Sequence, residues 1–276
     1  MTDSGKPHAN ITITTVRPGD RKEKDDIVAV EEPLEIRLGY RDALKGRMHK
    51  SISITMRTPG DDLNLACGFL YSESIIGDIN DIESIDDSAD NVIRLELNNE
   101  AVFDIARLDR HFYTSSSCGV CGKASLEALS TSGYDALLDN DFTMPRKLLY
   151  NLGARLREKQ SLFHQTGGCH ATATFNDQGE ILNVTEDVGR HNAMDKLIGG
   201  LLRARLLPLS KMGIIVSGRA SFELMQKALV AGCPMLVAVG APSSLAVELA
   251  QEFNVTLVGF LGTSSLNIYH NPGAID

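Results

Sequence analysis

The carboxyl-terminal half of the chain alternates between short apolar runs and amphipathic stretches, which is the pattern of strands connected by helices. The pattern predicts strands at 213–216, 235–239 and 256–260, with helices at 221–230 and 243–252 between them. Strands joined by helical crossovers lie parallel in one sheet. We therefore expect a parallel sheet with helices on both faces.

Two further segments precede these strands. Residues 171–175 and 181–184 predict a hairpin around the turn at 176–179, and a helix is expected over about 191–205. Residues 27–106 alternate mainly with the period of strands, and a single helix is predicted after Pro59-Gly60. The hydrophobic pattern thus changes from mostly β to alternating α and β along the chain.

The predicted fold class is α/β: an α/β/α domain with a smaller, mostly β amino-terminal part. Residues 1–26 are polar and are predicted to be a flexible arm. Residues 27–110 are predicted to be the small, mostly β domain. Residues 111–276 are predicted to hold a cysteine-containing loop and the larger α/β domain.

Composition excludes several classes of function. The formal net charge is −9 at pH 7, which argues against wholesale binding to nucleic acid or to an anionic membrane surface. Tryptophan is absent, and no run approaches the ~20 apolar residues of a membrane span. The first residues lack the apolar segment of a signal peptide, and five thinly spread cysteines do not suggest a disulfide framework. We expect a cytoplasmic protein.

The most informative motif is the pair Cys118 and Cys121, a Cys-x-x-Cys sequence with serines before it and Gly122 after it. The following residues, 123–129, have the pattern of a helix, and Lys123 is close by. A helix start and a nearby cation both favour the thiolate form of a cysteine. The loop is therefore the best candidate for the chemistry.

Zinc and redox roles are weighed against this interpretation. Cys-x-x-Cys is half of a common zinc site, but no second Cys-x-x-Cys or His-x-x-x-His follows it. A zinc deaminase needs a glutamate two residues after its histidine, and His170-Ala171-Thr172 lacks one. A thioredoxin-like role requires a buried strand before the pair, which residues 107–117 do not resemble.

Three predicted strand ends carry residues suited to a phosphorylated ligand, since such ligands bind at the carboxyl ends of strands and at helix starts. The segments are 186–192, 217–221 and 240–244. They contribute hydroxyl, basic and acidic side chains, which are Ser217, Arg219, Arg190, His191, Glu186 and Asp187. Each is weak evidence alone, because serine-rich helix caps are ordinary structure. Together, at one edge of a sheet, they predict a binding site.

His170 and Cys169 follow a glycine-rich approach, Thr166-Gly167-Gly168, to a predicted strand. His170 is a candidate pocket residue, although a histidine in a fold is often only a structural hydrogen-bonding group. Cys169 is read mainly as a small core residue, with a second reactive thiol or a third metal ligand as the alternatives. Cys67 lies on the apolar face of the predicted helix after Pro59 and is read as core.

Taken together, the motifs resemble those of the FdhD family, the sulfurtransferase accessory proteins of formate dehydrogenase. The resemblance covers about residues 30–270 and rests on motifs whose order also matches. The motifs begin with Glu32-Pro33-Leu34, Thr58-Pro59-Gly60-Asp61-Asp62-Leu63 and Gly68-Phe69-Leu70-Tyr71-Ser72-Glu73, followed by the Cys118–Gly122 and Thr166–Ala171 segments. They end with Glu186-Asp187-Val188-Gly189-Arg190-His191-Asn192-Ala193, Ser217-Gly218-Arg219-Ala220-Ser221-Phe222-Glu223 and Ala241-Pro242-Ser243-Ser244-Leu245-Ala246.

The resemblance implies a cytidine-deaminase-like fold for the larger domain, without the zinc chemistry. It implies that the protein takes sulfur from a cysteine desulfurase as a persulfide, with Cys118 as the carrier. The sulfur would pass to the molybdenum cofactor in its bis-guanine-dinucleotide form, required by formate dehydrogenase. The family's cofactor-binding segment corresponds here to Phe260, Leu261, Gly262, Thr263, Ser264 and Ser265. Many relatives carry arginines in this segment and this chain has none. Arg219 and Arg190 therefore become the stronger candidates for the phosphate contacts.

The expected function is therefore sulfur transfer to the molybdenum cofactor, with the cofactor bound as substrate and no zinc. Glu186 or Asp187 is a hypothetical contact for the guanine ring. A cofactor-binding chaperone without sulfur transfer is the alternative, and a zinc-binding structural module is a second one. The expected partners are the cysteine desulfurase and formate dehydrogenase. A homodimer is implied by the resemblance alone.

Overall fold

The structure is a computed structural model that describes residues 5–42, 45–98 and 141–275. Within these residues the strands are β1 (His8–Arg17), β2 (Asp20–Ala29), β3 (Glu32–Asp42), β4 (Gly46–Arg57), β5 (Ile82–Ala89), β6 (Val92–Leu97), β7 (His170–Phe175), β8 (Ile181–Asp187), β9 (Gly213–Val216), β10 (Met235–Ala238), β11 (Thr256–Gly259) and β12 (Asn267–His270). The helices are α1 (Asp62–Ser72), α2 (Arg146–Lys159), α3 (Ser161–Thr166), α4 (Arg190–Arg203), α5 (Phe222–Val230) and α6 (Ser244–Glu252).

A six-stranded sheet with the order β12-β11-β10-β9-β7-β8 forms the centre of the carboxyl-terminal part. Strands β9, β10 and β11 are parallel, as the alternating pattern predicted. Successive side chains of a strand point to opposite faces. Ile214 and Val216 accordingly pack with the helices α4 to α6, whereas Ile215 packs with α2 on the other face. The result is a three-layer α/β/α arrangement.

A second sheet, with the order β4-β3-β6-β5, forms the amino-terminal part. Its inward-facing residues, such as Ile36 and Leu95, form a core with the apolar face of α1. Arg57, at the end of β4 and 3% exposed, makes two 2.8 Å hydrogen bonds to the Asp62 carboxylate. This bidentate pair fixes the start of α1 against the strand, since such pairs constrain geometry as well as add energy.

Helices α1 and α4 join the two parts by a contact between their backbones. A Cβ added at Gly68 would lie 1.8 Å from the carbonyl oxygen of Asp195, and one at Gly199 would lie 1.9 Å from that of Asn64. Only glycine allows helices to approach so closely. The core around α1 also includes Leu202 of α4.

The mixed α/β fold class is confirmed. The predicted hairpin is β7 and β8, the predicted helices of the carboxyl-terminal part are α4, α5 and α6, and the helix predicted after Pro59 is α1. The boundary predicted between the two parts lies outside the described residues, so the division into domains stays a prediction.

The amino-terminal arm contains regular secondary structure that the sequence analysis did not assign. Its residues from His8 onwards form the antiparallel hairpin of β1 and β2. The alternation Ile11-Thr12-Ile13-Thr14 is typical of a strand. Its partner β2 was not predicted, because β2 is exposed along most of its length and its charged run at 21–26 has no apolar pattern. Whether the arm is mobile remains a prediction.

Candidate functional site

The candidate site lies at one edge of the six-stranded sheet. Because β7 is antiparallel to both β8 and β9, the strands β8 to β11 all end at this edge. The segments 186–192, 217–221 and 240–244 therefore leave the sheet together, as expected. The start of β7, with His170, and the segment 260–265 reach the same edge.

Backbone hydrogen bonds continue the sheet beyond the strand ends and hold these loops in place. Gly240 N donates to Gly218 O at 2.9 Å, and Phe260 N donates to Gly240 O at 3.0 Å. Phe260 adopts a positive φ of 51° while its side chain is 51% exposed. A non-glycine residue in this region is strained, and such strain persists where the surroundings enforce it. The segment after β11 is thus a constrained turn.

A cavity of about 520 Å³ opens between this edge and the helices α2 and α3. It falls within the range of roughly 300–1,000 Å³ that is usual for small-molecule sites. Five of the residues predicted from the sequence line the cavity, namely His170, Ser217, Leu261, Gly262 and Thr263. The cavity is large enough for a nucleotide-sized group.

Ser217 and His170 are held by the pairing of β7 with β9. Ala171 N donates to Ser217 Oγ at 2.9 Å, and Ser217 N donates to Ala171 O at 2.9 Å. The ring of His170 lies beside Gly218, where an added Cβ would be 3.3 Å from Nδ1. Burial lowers the pKa of His170, and the charge of Arg190 lowers it further. The imidazole is therefore neutral at neutral pH and offers one donor and one acceptor.

The carboxylates of Glu186 and Asp187 have partners inside the protein. Glu186 accepts hydrogen bonds from the backbone N–H groups of Leu162 and Phe163 at 2.9 and 2.8 Å, at the start of α3. Asp187 is 0% exposed and lies 2.8 Å from the ammonium of Lys196. Neither carboxylate lines the cavity. The structure therefore gives both a structural role, and their hypothetical contact with guanine stays without support.

Arg190, His191 and Arg219 lie outside the cavity wall. His191 is the second residue of α4, and its Nε2 lies 3.9 Å from the Glu223 carboxylate. Burial lowers the pKa of His191 to about 4, with Arg190 and Lys227 adding to the effect. Arg219 packs beside Gly240, where an added Cβ would be 3.1 Å from its Cγ. These three residues share the sheet edge with the cavity without entering it.

The three cysteines in the described residues are buried. Burial raises the pKa of Cys67 to about 11 and that of Cys233 to about 12. Cys169 lines the cavity but is 6% exposed, and burial raises its pKa as well. Because the thiolate is the nucleophile, a raised pKa disfavours reaction at all three positions. Cys118 and Cys121 lie outside the described residues.

The cavity also contains residues that the sequence analysis missed, on α2, on α3 and at the junction between them. Gln160, at the junction, is 3% exposed, and the guanidinium of Arg157 lies 3.9 Å over the ring of Phe163. In the sequence Arg157 and Gln160 look like surface residues within a run of charges. No signal in the chain marks them, because their position depends on how α2 packs on the sheet.

Two features that would point to other functions are absent from the described residues. None of the helices found there is long and apolar enough to cross a membrane. The same portion of the chain, which does not include Cys118 and Cys121, contains no group of three or more metal-binding side chains.

The chain is similar to many known proteins over most of its length. It is 45% identical over 267 residues to the sulfur carrier protein FdhD of Streptomyces avermitilis, which covers 93% of this chain and 92% of the relative. It is 44% identical over 257 residues to the protein of the same name from Saccharolobus solfataricus, with coverages of 93% and 94%.

Comparison with solved structures supports the fold. A crystal structure of a protein proposed to be a formate dehydrogenase accessory protein, from Desulfotalea psychrophila, matches with a TM-score of 0.73 and 23% identity. The match covers 98% of this chain and 99% of the other. A sequence model described as the FdhD/NarQ family matches residues 29–276. The chain belongs to the FdhD/NarQ family.

Proposed function

We propose that the protein is a sulfurtransferase that carries sulfur as a persulfide from a cysteine desulfurase to the molybdenum cofactor used by formate dehydrogenase. The names of its relatives support the sulfur-carrier part of this proposal. The observation that carries the acceptor part is the cavity at the ends of β9 to β11, which includes Leu261, Gly262 and Thr263. A guanine dinucleotide offers a group of suitable size for this cavity.

The carrier is Cys118, with Cys121 as its neighbour. The chain has five cysteines, and the three that the structure describes are buried thiols with raised pKa values. Exclusion therefore favours the Cys-x-x-Cys pair. The Cys118 thiolate attacks the terminal sulfur of the donor's persulfide, the donor S–S bond breaks, and the donor cysteine leaves as a thiolate. The transferred sulfur then forms the terminal atom of a Cys118 persulfide.

The polar groups of the cavity suit the acceptor. Ser217 and Thr263 supply hydroxyl groups, and Arg157 supplies a cation to the cavity wall. The cavity-lining residues of the described chain include no carboxylate, so the wall does not repel a polyanion. The cofactor is the substrate of the transfer, and the chain's residues bind and orient it.

Intact-protein mass spectrometry tests the carrier role. The full chain, Cys118→Ala, Cys121→Ala and the buried control Cys169→Ala are incubated with a cysteine desulfurase and cysteine, with and without reductant. We expect wild type and Cys169→Ala to gain one sulfur that reductant removes, and Cys118→Ala to gain none. If wild type gains no sulfur beside an active desulfurase, the carrier proposal fails, and the alternative of a cofactor-binding chaperone takes its place.

The compartment, the oligomeric state and the partners belong to the same proposal. We propose a cytoplasmic homodimer that contacts the desulfurase and formate dehydrogenase in turn. Sedimentation of the purified chain would give the mass of the assembly, and a mass of one chain at micromolar concentration would contradict the dimer.

A further inference from the structure

The hairpin of β1 and β2 is supported by the rest of the described chain only at its base. There it packs on α3, where a Cβ added at Gly168 would lie 3.6 Å from the Cβ of Ala29. From residue 10 to residue 25 most side chains are exposed, and Val16 is 72% exposed. The two strands form a sheet of their own within the described residues. A two-stranded hairpin is only marginally stable in water unless a third strand or a helix packs against it.

The two outer edges of this hairpin differ in sequence. Strand β2 contains six consecutive charged residues at 21–26. Strand β1 contains six consecutive β-branched residues from Ile11 to Val16, and residues 9–16 include no charge and no proline. β-branched residues favour strands. Proteins prevent a sheet edge from pairing with another chain by placing charged side chains or proline on it. The edge of β2 is thus protected, whereas the edge of β1 is not.

The four-stranded sheet shows how this chain treats its other edges. Its edge strands are β4 and β5. Strand β4 carries Arg47 and Lys50, and β5 carries Glu83 and Asp86. The pairing of β5 is also interrupted by register shifts, which make an edge a poorer template for a new strand. The neutral edge of β1 departs from this pattern, so a role in pairing explains its sequence.

A second copy of this chain fits the free edge of β1. Two β1 strands that pair antiparallel across a twofold axis bring neutral residues opposite neutral residues, so no like charges meet. The product is a four-stranded sheet in which each copy contributes β1 at the centre and β2 at the outside. Both outer edges then carry the charged run 21–26, which prevents further association. Self-pairing therefore gives each hairpin a third strand and leaves only protected edges.

We propose that the free edge of β1 is the interface between two copies of this chain, paired antiparallel along residues 9–16. The inference rests on the homodimer of the proposed function and names the surface that forms it. All but the last residue of the hairpin precede residue 29, where the match to the family model begins. Within the described chain, the residues that line the cavity include none from β1 or β2. The interface can therefore be altered without changing the candidate site.

Sedimentation of the full chain over a range of concentrations tests the interface. Thr12→Lys/Thr14→Lys places two lysines at exposed positions of β1. We expect the dissociation constant of the dimer to rise about tenfold or more, because like charges then face each other across the twofold axis. Ser84→Lys/Ser88→Lys adds the same charge at exposed positions of the edge strand β5 and should keep the wild-type constant. Thermal unfolding checks that both variants keep the fold.

Disulfide cross-linking is a second measurement that does not depend on added charge. Single cysteines are introduced at residues 11–15, from Ile11→Cys to Thr15→Cys, in a Cys118→Ala/Cys121→Ala background. In an antiparallel pair about a twofold axis, residues close to the axis lie next to their own copies, within the Cα separation that a disulfide requires. Under mild oxidation the yield of linked dimer should therefore peak within this range and fall on either side. Glu23→Cys, on β2, should give no linked dimer.

Three outcomes overturn the inference. If Thr12→Lys/Thr14→Lys keeps the wild-type dissociation constant, or if the β5 control weakens the dimer equally, the homodimer stands and its interface lies elsewhere. Equal cross-linking at residues 11–15 and at Glu23→Cys would show random collision instead of a paired edge. If wild type sediments as one chain at micromolar concentration, both this inference and the homodimer of the proposed function fail. The sulfur gain at Cys118 decides the carrier role separately.

Discussion

Two helices on opposite sides of the six-stranded sheet use glycine in opposite ways. Where α4 packs on α1, Gly68 and Gly199 lie where an added Cβ would meet backbone oxygens at 1.8 and 1.9 Å. On the face covered by α2, a Cβ at Gly153 would lie 3.6 Å from Leu261 Cδ2, which is an ordinary contact. The α1–α4 contact is thus closely packed, whereas α2 leaves room for a methyl group at Gly153, beside the cavity.

Buried charges follow the same division. On the α4 side, Lys196 pairs with Asp187, and Lys227 pairs with Asp195, each at 2.8 Å. On the side covered by α2, the unpaired buried groups within the described chain include the neutral amide nitrogen of Gln160 and the hydroxyl of Thr256. Charges that leave water need close partners, whereas a neutral group without a hydrogen-bond partner costs less free energy.

The largest expected effect is at the Asp187–Lys196 pair. Lys196→Met removes the ammonium and leaves a fully buried carboxylate without its counter-charge, which costs about 3–5 kcal/mol of unfolding free energy. Chemical denaturation would measure the change. The exposed control Lys211→Met should stay within about 0.5 kcal/mol of wild type. A loss below about 1 kcal/mol in Lys196→Met would contradict a stabilising role for the α4 side.

The next largest expected effect is the change in stability when a glycine of each helix contact is replaced by alanine. Gly68→Ala or Gly199→Ala forces the backbones of α1 and α4 apart, which we expect to cost about 3 kcal/mol. Gly153→Ala makes the same chemical change within α2 without a clash and should stabilise the protein by about 0.5–1 kcal/mol, because alanine favours the helix. Denaturation midpoints of the three variants check the opposite signs. Equal effects at Gly68 and Gly153 would remove the distinction between the faces.

The smallest expected effect is the loss of stability at acid pH through His191. The pKa of His191 is lowered to about 4 by burial and by Arg190 and Lys227, with Glu223 and Glu73 opposing. The unfolded state, with an ordinary histidine pKa near 6.5, takes up a proton that the folded state resists. Its contribution to stability is therefore present above about pH 6.5 and is lost as the pH falls towards 4. The lowered pKa contributes to the pH dependence of stability only in part, because the His191 side chain is 39% exposed and solvent screens its interactions.

Melting temperatures between pH 7.5 and 4.5 measure this loss. His191→Gln should show a shallower fall than wild type over the lower part of the range. His164→Gln, at an exposed position of α3, serves as the control and should follow wild type. Parallel curves for wild type and His191→Gln would show that other groups cause the acid sensitivity.

The sequence predicts the central strands well because they are buried on both faces. Strands β9, β10 and β11 contain only buried residues, and their apolar runs are unambiguous. Strand β5 was missed, since it lies at the edge of its sheet and its residues, rich in Asp and Ser, are mostly exposed. Strand β12 was missed for the same reason. An edge strand is held by its hydrogen bonds to one neighbouring strand, and its own sequence need not have an apolar pattern.

The candidate site was predictable only in part. Ser217 and His170 could be found because they stand directly at strand ends, where the direction of the chain fixes their place. Asp187 stood at a strand end too, but its burial depends on Thr58, which donates to it from 129 residues away. Gln160 depends on the packing of α2 and α3 on the sheet. Contacts between distant segments leave no periodic trace in a sequence.

The hydrogen bonds of Thr58 have a consequence for the order in which the two parts fold. Its backbone N, backbone O and hydroxyl bond to Asp187, Lys196 and Val188. During synthesis Thr58 leaves the ribosome long before residues 187–196 are made. Until then, the face of α1 that packs on α4 stays exposed to solvent. Contacts of such long sequence separation make folding slow. A chain cut between its two parts would lose this junction from both fragments, and neither would hold its buried charges in place.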